Sequence, residues 1–237
     1  MEYLAGGDFF SFLEKRKFRL QEDLAKKITH QVATALYYLH SFGIVHRDLK
    51  PENILMVKSD DSSDVKIVDF GLSKTFGPGE TCKEPFGTLC YVAPEILLQR
   101  PYDKSVDLWS LGVIVHLMLS STLPFDSEDD REIARKTIYE DLAMAHPIWE
   151  QSISDEAKDL VRSNLISFNI ALIVELLIKN RSERIKLEKV LEHPWIAKVN
   201  QKIFELRRKS SDEGDRLMQF MAYTNTDVNN LRRHSPE

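Results

Sequence analysis

The feature that most constrains the fold is a nearly continuous apolar run, VDLWSLGVIVHLML, over residues 106–119. A surface helix keeps one polar face, whereas a helix that is apolar all round is buried. This run therefore predicts a helix buried on most of its faces, which forms the spine of the core. A second, amphipathic helix is predicted upstream, where apolar residues recur at steps of four and three. These residues are Leu24, Ile28, Val32, Leu36 and Leu39, and Gly43 follows them as a C-terminal stop.

Short β-prone runs alternate with polar turns between these two helices. IVHRD, ENILMV and VKIVDFG predict a small sheet, with the polar turn KSDDSSD between the second and third runs. Shorter helices are predicted over residues 130–142, 154–179 and 187–192. The charged stretch after Asn200 has the composition of a tail. The chain is thus expected to be mainly helical with a small β element.

Composition narrows the class of protein. The chain has 237 residues, 43% of them hydrophobic, which suffices for one sizeable core or two small ones. The net charge is −5 and acids and bases are interspersed, so we expect neither a general nucleic-acid binder nor a membrane-surface binder. Two cysteines, Cys82 and Cys90, with no secretory leader before them, favour free thiols in a reducing compartment. The longest uncharged apolar run, residues 163–174, is shorter than the roughly 20 residues that span a bilayer, and a cytoplasmic location is expected.

Residues 46–53, HRDLKPEN, place an acid between two bases and an amide shortly after them. Phosphoryl transfer to an alcohol requires a carboxylate that accepts the hydroxyl proton, cations that neutralise the phosphoryl group, and oxygen ligands for Mg²⁺. Asp48 is the candidate base, Lys50 the cation at the transferred phosphate and Asn53 a metal ligand. The candidate for a second metal ligand is Asp69 of DFG. Residues 69–95 then have the length of an activation segment that closes at APE.

Several motifs occur together in an order and spacing typical of one family: HRDLKPEN, DFGLS, GTLCYVAPE, DLWSLG, and ERI followed by EHPWI. Over residues 1–196 the sequence resembles the eukaryotic protein kinases, most closely the basophilic calcium/calmodulin-dependent and cyclic-AMP-dependent serine/threonine kinases. The resemblance implies an α+β, protein kinase-like fold with ATP and Mg²⁺ as cofactors. It also implies transfer of the ATP γ-phosphate to serine or threonine in protein substrates.

The resemblance assigns roles outside the HRDLKPEN loop as well. Glu2 and Leu4 would lie along the adenine edge, and Leu55 would lie beneath the adenine ring. Structural roles, in which side chains hold the site rather than react, are implied for His46 beneath Phe70, Asp107 on the catalytic-loop backbone, and Glu95 paired with Arg184.

Smaller features bear on the substrate. Lys50 and Thr88 resemble the serine/threonine pattern, in which the Thr88 hydroxyl bridges Asp48 and Lys50. Asp8 and Glu52 match positions where basophilic kinases bind arginines upstream of the acceptor, because a carboxylate can take an arginine bidentately. The alternative is that both are solvated surface acids. We therefore expect protein substrates with basic residues upstream of Ser or Thr.

The activation segment carries a prediction about regulation. In this family the arginine before the catalytic aspartate, here Arg47, is usually neutralised by a phosphate on the activation segment. The residue three positions before Gly87 is Glu84. A carboxylate there can pair with Arg47 without a modifying kinase, so we expect activation-loop phosphorylation to be dispensable. Thr81 is the competing phosphorylation site.

The chain opens with MEYLAGGDFF, which resembles the hinge between the two kinase lobes. We therefore expect residues 1–196 to be hinge and C-lobe only, mainly α-helical, with a small β-hairpin element carrying the catalytic loop and DFG. A glycine-rich loop, a β3 lysine and an αC glutamate are missing from the sequence, so we expect the chain as written to be nearly inactive. Either poor solubility or a partner is expected at the face around Leu55 and Phe70. The alternative function is a noncatalytic, kinase-like C-lobe that acts as a protein-binding module.

Two further segments depart from the family pattern. Residues 164–175, NLISFNIALIVE, interrupt the usual spacing between AKDLVRS and LLIKNRSERI and are predicted to be an insertion. The segment is apolar around nearly all of a helix, so it needs unusual burial or does not belong to the chain. Residues 197–237 are the predicted tail, in which RRKS and RRHS are either autophosphorylation or pseudosubstrate sites or chance basic motifs.

Overall fold

Helices dominate the regular structure in residues 4–142 and 168–196, the part of the chain that the computed structural model describes. The helices are α1 (Phe9–Glu14), α2 (Glu22–Ser41), α3 (Pro94–Leu97), α4 (Ser105–Ser120), α5 (Asp130–Tyr139), α6 (Phe168–Leu176) and α7 (Leu187–Glu192). The strands are β1 (Ile44–Val45), β2 (Ile54–Met56), β3 (Val65–Ile67) and β4 (Lys74–Thr75), and 3-10 turns cover Pro51–Asn53 and Leu89–Tyr91.

The core is built around α4, in which every side chain over residues 106–120 is buried. The prediction of a buried spine is therefore confirmed. Helices α2 and α6 both pack against it. Gly112 sets the approach of α6, because a Cβ at this position would lie only 2.8 Å from Leu176 Cβ and 2.9 Å from Leu177 Cδ2. A polar group within the spine is also satisfied, since Ser110 Oγ donates to the Tyr91 carbonyl at 2.8 Å.

Helix α2 has the predicted amphipathic character. Its residues Ile28, Val32 and Leu36 are buried, whereas its first turn carries exposed acids. The helix ends at Ser41, and Gly43 adopts a positive φ of 72°. A Cβ at Gly43 would lie 2.4 Å from the Phe76 carbonyl oxygen. The glycine that ends the helix therefore also lets two chain segments approach closely.

The β-prone runs form two separate two-stranded antiparallel sheets rather than the one small sheet that the sequence predicted. Strand β2 pairs with β3, and β1 pairs with β4, a strand that the sequence analysis did not identify. The β2–β3 hairpin is thus nested within the β1–β4 pair. Because of this nesting, the stretch from β1 to β2, residues 46–53, lies beside the stretch from β3 to β4, residues 68–73.

The predicted helix over residues 130–142 is shorter in the structure. Helix α5 ends at Tyr139, and the next residue, Glu140, has extended backbone angles. The carbonyl groups of Lys136 and Glu140 both accept hydrogen bonds from Lys179 Nζ, which ties the end of this helix to the segment after α6. Residues 143–167 and the predicted tail lie outside the described part. The division of residues 1–196 into hinge and C-lobe stays a prediction.

The predicted insertion, residues 164–175, is described from Phe168 onward, where it forms most of α6. Leu172, Ile173 and Leu176 are fully buried. Leu172 and Ile173 of this apolar segment are therefore buried, as its composition requires, whereas Val174 is 36% exposed. That the segment is an insertion stays a prediction.

A buried ion pair anchors α3 to the turn after α6. Arg184 Nη1 lies 2.8 Å from Glu95 Oε1 and Arg184 Nη2 lies 3.0 Å from Glu95 Oε2, so the pair is bidentate. Arg184 also donates to the carbonyls of Ile178 and Ser105. The predicted pair is confirmed, and its hydrogen bonds satisfy a guanidinium that is otherwise removed from water.

The state of the cysteines and the length of the helices can also be read from the structure. Cys82 and Cys90 are both free thiols, as predicted. Among residues 4–142 and 168–196, every helix is too short or too polar to cross a lipid bilayer.

Candidate active site

One buried carboxylate at the start of α4 holds the backbone of the catalytic loop, residues 46–53. Asp107 accepts hydrogen bonds from the backbone N–H groups of His46 and Arg47, at 2.9 and 3.0 Å, and from His40 Nε2 at 2.7 Å. Burial acts to raise the pKa of Asp107, but its hydrogen bonds from His40 and His46 outweigh burial and hold the pKa below the usual value. Arg47 has a positive φ of 67°, a conformation that non-glycine residues seldom adopt. Asp107 therefore holds the loop, as predicted, in a geometry that needs such support.

Asp48 is the centre of a four-residue polar cluster. Its Oδ1 accepts from Thr88 N at 3.0 Å and from Thr88 Oγ1 at 2.9 Å. Its Oδ2 lies 3.0 Å from Lys50 Nζ and 3.2 Å from Asn53 Nδ2. Lys50 Nζ also donates to Thr88 Oγ1 at 2.8 Å, so the Thr88 hydroxyl bridges Asp48 and Lys50. The cluster fixes the orientation of a carboxylate, a cation and a hydroxyl toward one another.

Gly87 lets the activation segment come close to the catalytic loop. It has a positive φ of 116°, and a Cβ there would lie 3.0 Å from the Arg47 carbonyl oxygen and 2.9 Å from Val92 Cγ2. A side chain at this position would push Thr88 away from Asp48. The glycine of GTLCY is therefore required by the geometry of the polar cluster.

Asn53 and Asp69, the two predicted metal ligands, are brought together by the nested strands. Val68 N donates to the Asn53 carbonyl at 2.9 Å, and Asp69 is the next residue. Asn53 Nδ2 donates to the Asp48 carbonyl at 2.8 Å, which leaves its amide oxygen available to a ligand. Asp69 is exposed and has a positive φ of 60°. Beside them the His46 and Phe70 rings pack edge to face, 5.4 Å apart, as predicted.

The donor set fits a magnesium ion that is shared with a nucleotide. Mg²⁺ prefers carboxylate and amide oxygens and is commonly held by one or two protein groups together with phosphates. Asn53 and Asp69 supply such groups. Within residues 4–142 and 168–196, no cluster of three or more His, Cys, Asp or Glu side chains could hold a metal ion by protein ligands alone.

Of the residues predicted on the nucleotide side, Leu4, Asp8 and Leu55 lie in the described part of the chain. Glu2 lies outside the described residues, and Leu4 is half-buried. Asp8 forms a single antiparallel bridge with Leu55 of β2, so these two predicted residues are neighbours. The Asp8 carboxylate caps α1: Oδ1 accepts from Ser11 N at 2.7 Å and Oδ2 from Ser11 Oγ at 2.8 Å. The sequence analysis missed this cap, although an aspartate before an apolar helix is a usual start signal.

Two carboxylates that the sequence analysis did not name, Asp126 and Asp130, act on Cys90 in the segment after Thr88. Burial raises the pKa of the Cys90 thiol, and the negative charges of Asp126, Asp130 and Glu52 raise it further. Glu52 is exposed on the 3-10 turn that follows Lys50. The field around Cys90 is therefore negative. The run DSEDD at 126–130 was the available signal, but nothing in the sequence places it beside residue 90.

Arg47 connects the catalytic loop to the activation segment. Its Nε donates to the Leu72 carbonyl at 2.6 Å and its Nη1 to Glu84 Oε2 at 3.1 Å. The Phe86 ring covers the guanidinium, with the Arg47 Cζ 4.6 Å from the ring centroid. The hydrogen bond from Arg47 holds the pKa of Glu84 below its usual value, and Lys74 adds a weaker effect in the same direction. Glu84 is thus a fixed negative charge at the place predicted for it.

Comparison with known proteins gives the family. Residues 1–196 match the protein kinase domain. The chain is 38% identical over 198 residues to a probable myosin light chain kinase of Dictyostelium discoideum, which covers 83% of this chain and 47% of that protein. It is also 38% identical over 197 residues to calcium/calmodulin-dependent protein kinase type 1 of Caenorhabditis briggsae, covering 83% of this chain and 51% of that protein. The chain spans about half the length of these relatives. On these grounds the chain belongs to the protein kinase domain family.

Proposed function

We propose that the protein is a serine/threonine protein kinase that transfers the ATP γ-phosphate to hydroxyl groups of protein substrates, with Mg²⁺. The observation that carries this proposal is the polar cluster of Asp48, Lys50, Asn53 and Thr88, in which each carboxylate oxygen of Asp48 has two partners. A surface that serves only for binding does not need a base, a cation and a metal ligand arranged around one point.

The four residues of the cluster, and Asp69 beside them, each have a task in the proposed reaction. The Asp48 carboxylate orients the substrate hydroxyl and accepts its proton. The Lys50 ammonium balances negative charge on the transferred phosphoryl group. The Thr88 hydroxyl keeps Asp48 and Lys50 at their mutual distance of 3.0 Å. Asn53 and Asp69 would hold Mg²⁺, which neutralises phosphate charge when bound.

The proposed substrates are proteins with arginine upstream of the acceptor. Glu52, Asp126 and Asp130 support this preference, because together they make the surroundings of Cys90 negative. Of the two acids predicted to bind arginine, Glu52 is the better candidate, since both Asp8 oxygens already accept from Ser11. The face around Leu55 and Phe70, both half-buried, is the proposed contact surface for nucleotide and for a partner.

The test measures phosphate transfer by the full-length native protein. The wild type is compared with Asp48→Asn. Radiolabelled ATP and a peptide with arginine before serine are the substrates. We expect the Asp48→Asn change to lower kcat about 10²–10⁴-fold, because it removes the general base. Thermal stabilisation by MgATP should persist, because Asn53 and Asp69 both remain and the Asn53 amide can still donate to the backbone carbonyl of residue 48.

Asp61→Asn is the matched control, since Asp61 is an exposed acid that pairs with Arg16 away from the cluster. Unchanged transfer by Asp48→Asn would overturn the proposed role of Asp48. A wild-type protein that neither transfers phosphate nor is stabilised by MgATP would instead support the noncatalytic binding module.

A further inference from the structure

Tyr102 lies outside the activation segment, in the turn between α3 and α4, yet it contacts that segment at several points. Its backbone N–H and C=O pair with those of Cys82 in an isolated antiparallel bridge, at 2.8 and 2.9 Å. Its ring is fully buried and packs against Phe76, with the centroids 6.2 Å apart. Tyr102 therefore contacts both the first part of the activation segment, at Phe76, and its middle part, at Cys82.

The Tyr102 hydroxyl makes two hydrogen bonds with different consequences. It donates to the Glu84 backbone carbonyl at 2.8 Å and accepts from Arg47 Nη1 at 3.3 Å. The same Arg47 Nη1 donates to the Glu84 carboxylate. Arg47, Glu84 and Tyr102 thus form a closed triangle of hydrogen bonds. Burial raises the pKa of Tyr102 to about 12, so the phenol stays protonated and keeps its donor.

The triangle explains how an exposed carboxylate can hold a buried arginine. The Glu84 side chain is 56% exposed, and an ion pair at such a site is weak by itself. Tyr102 holds both the Glu84 backbone and the Arg47 guanidinium in place. The Glu84 carboxylate therefore loses little conformational entropy when it pairs with Arg47. Tyr102 itself is held by ring burial and by its backbone bridge.

We propose that Tyr102 is a positioning residue that acts through Arg47 and Glu84 to keep the activation segment ordered without a phosphate group. This inference rests on the proposed kinase function. Tyr102 follows APE in the sequence. In this proposal it orders the activation segment, as a phosphate group on that segment would otherwise do. Gly87 and Thr88, which contact the catalytic loop, come only three and four residues after Glu84.

The test is Tyr102→Phe, which removes the hydroxyl and keeps the ring. We expect the KM for a peptide substrate to rise about three- to tenfold, because the loss of the hydroxyl's hydrogen bonds to the Glu84 carbonyl and from Arg47 loosens the segment that binds the peptide. The KM for ATP should not change. The same substitution in a Glu84→Ala background should have a smaller effect, because both residues act on Arg47.

Tyr38→Phe is the matched control, because Tyr38 is a half-buried tyrosine on α2 that packs on Phe42 away from this segment. A lower melting temperature and a smaller active fraction, with both KM values unchanged, would show a merely structural Tyr102 and overturn the inference. Effects of Tyr102→Phe and Glu84→Ala that simply add would also overturn it. Failure of the wild type to transfer phosphate would overturn the proposed function itself, and that result is distinct from either of these.

Discussion

The Arg47 guanidinium and the Glu84 carboxylate form an ion pair with Nη1 and Oε2 3.1 Å apart. The two residues are 37 positions apart in the chain and join the catalytic loop to the activation segment. The contact expected from the sequence is therefore present. Because Glu84 supplies a negative charge at this place, the pair bears directly on whether the proposed kinase activity needs phosphorylation.

Activity should survive dephosphorylation. We expect phosphatase treatment and Thr81→Ala to leave kcat/KM unchanged, because Glu84 already neutralises Arg47. Glu84→Ala should lower kcat/KM roughly two- to fivefold, which matches about 0.5–1 kcal/mol for a solvent-exposed ion pair. Glu80→Ala is the control, since Glu80 is on the same segment and its carboxylate accepts from Gly77 N. A large loss on phosphatase treatment that Thr81→Ala reproduces would contradict this prediction.

Arginine preference should depend on Glu52. In a peptide library, the wild type should favour arginine upstream of the acceptor, and Glu52→Gln should weaken that preference about three- to fivefold, as expected for a partly exposed pair. Asp61→Asn, a remote exposed acid, should leave the preference unchanged. A wild-type profile without upstream arginine would show that Glu52 is only a solvated acid.

Removing one partner of the Glu95–Arg184 pair should be far more damaging than removing one partner of a surface pair. The Arg184 side chain is fully buried, so Arg184→Met leaves an uncompensated carboxylate and should lower the free energy of unfolding by about 3–5 kcal/mol. Arg135→Met, which breaks an exposed pair with Glu132, should change the free energy of unfolding far less. Urea unfolding of the two variants measures the difference, and equal losses would contradict the prediction.

Asp107 should make stability depend on pH in the acid range. Its pKa is lower in the folded state than its usual value of 3.8, so the ionised carboxylate stabilises the fold. That contribution is complete above the unfolded pKa and is lost as the pH falls through the folded pKa. The melting-temperature gap between wild type and Asp107→Asn should therefore be constant above about pH 5 and shrink below about pH 3.8. A gap that is unchanged at about pH 3 would show that the Asp107 charge does not matter.

Deleting residues 164–175 should leave a folded protein. The deletion moves Leu160 and Val161 into the chain positions of Leu172 and Ile173, and Arg162 into that of Val174. The first two positions are fully buried and the third is 36% exposed, so each incoming residue suits its place. We expect a melting temperature at least as high as that of the wild type.

The control deletion is one residue shorter, over 164–174. It shifts the register by one and brings Arg162 to the buried position of Ile173. Because an unpaired charge is then buried, this variant should be strongly destabilised. Similar melting temperatures for the two deletions, or failure of the first to fold, would contradict the proposed insertion.

Much of the architecture follows from sequence pattern alone. The unbroken apolar run over residues 106–119 determines that α4 is buried, because no polar face is available for solvent. The spacing of apolar residues and Gly43 determine the length of α2 within a few residues. The motif HRDLKPEN places Asp48, Lys50 and Asn53 within one loop, where their proximity needs no knowledge of the fold.

Other relationships are decided only by the tertiary structure. Strand β4 has two residues, too few for any periodic signal, yet its pairing with β1 brings residues 68–73 beside residues 46–53. Tyr102, Asp126 and Asp130 carry no motif, and their place around the site depends on how α3, α4 and α5 pack. Local pattern determines which elements form because it reflects burial and backbone preference. Contacts between residues far apart in the chain depend on packing, which no local pattern encodes.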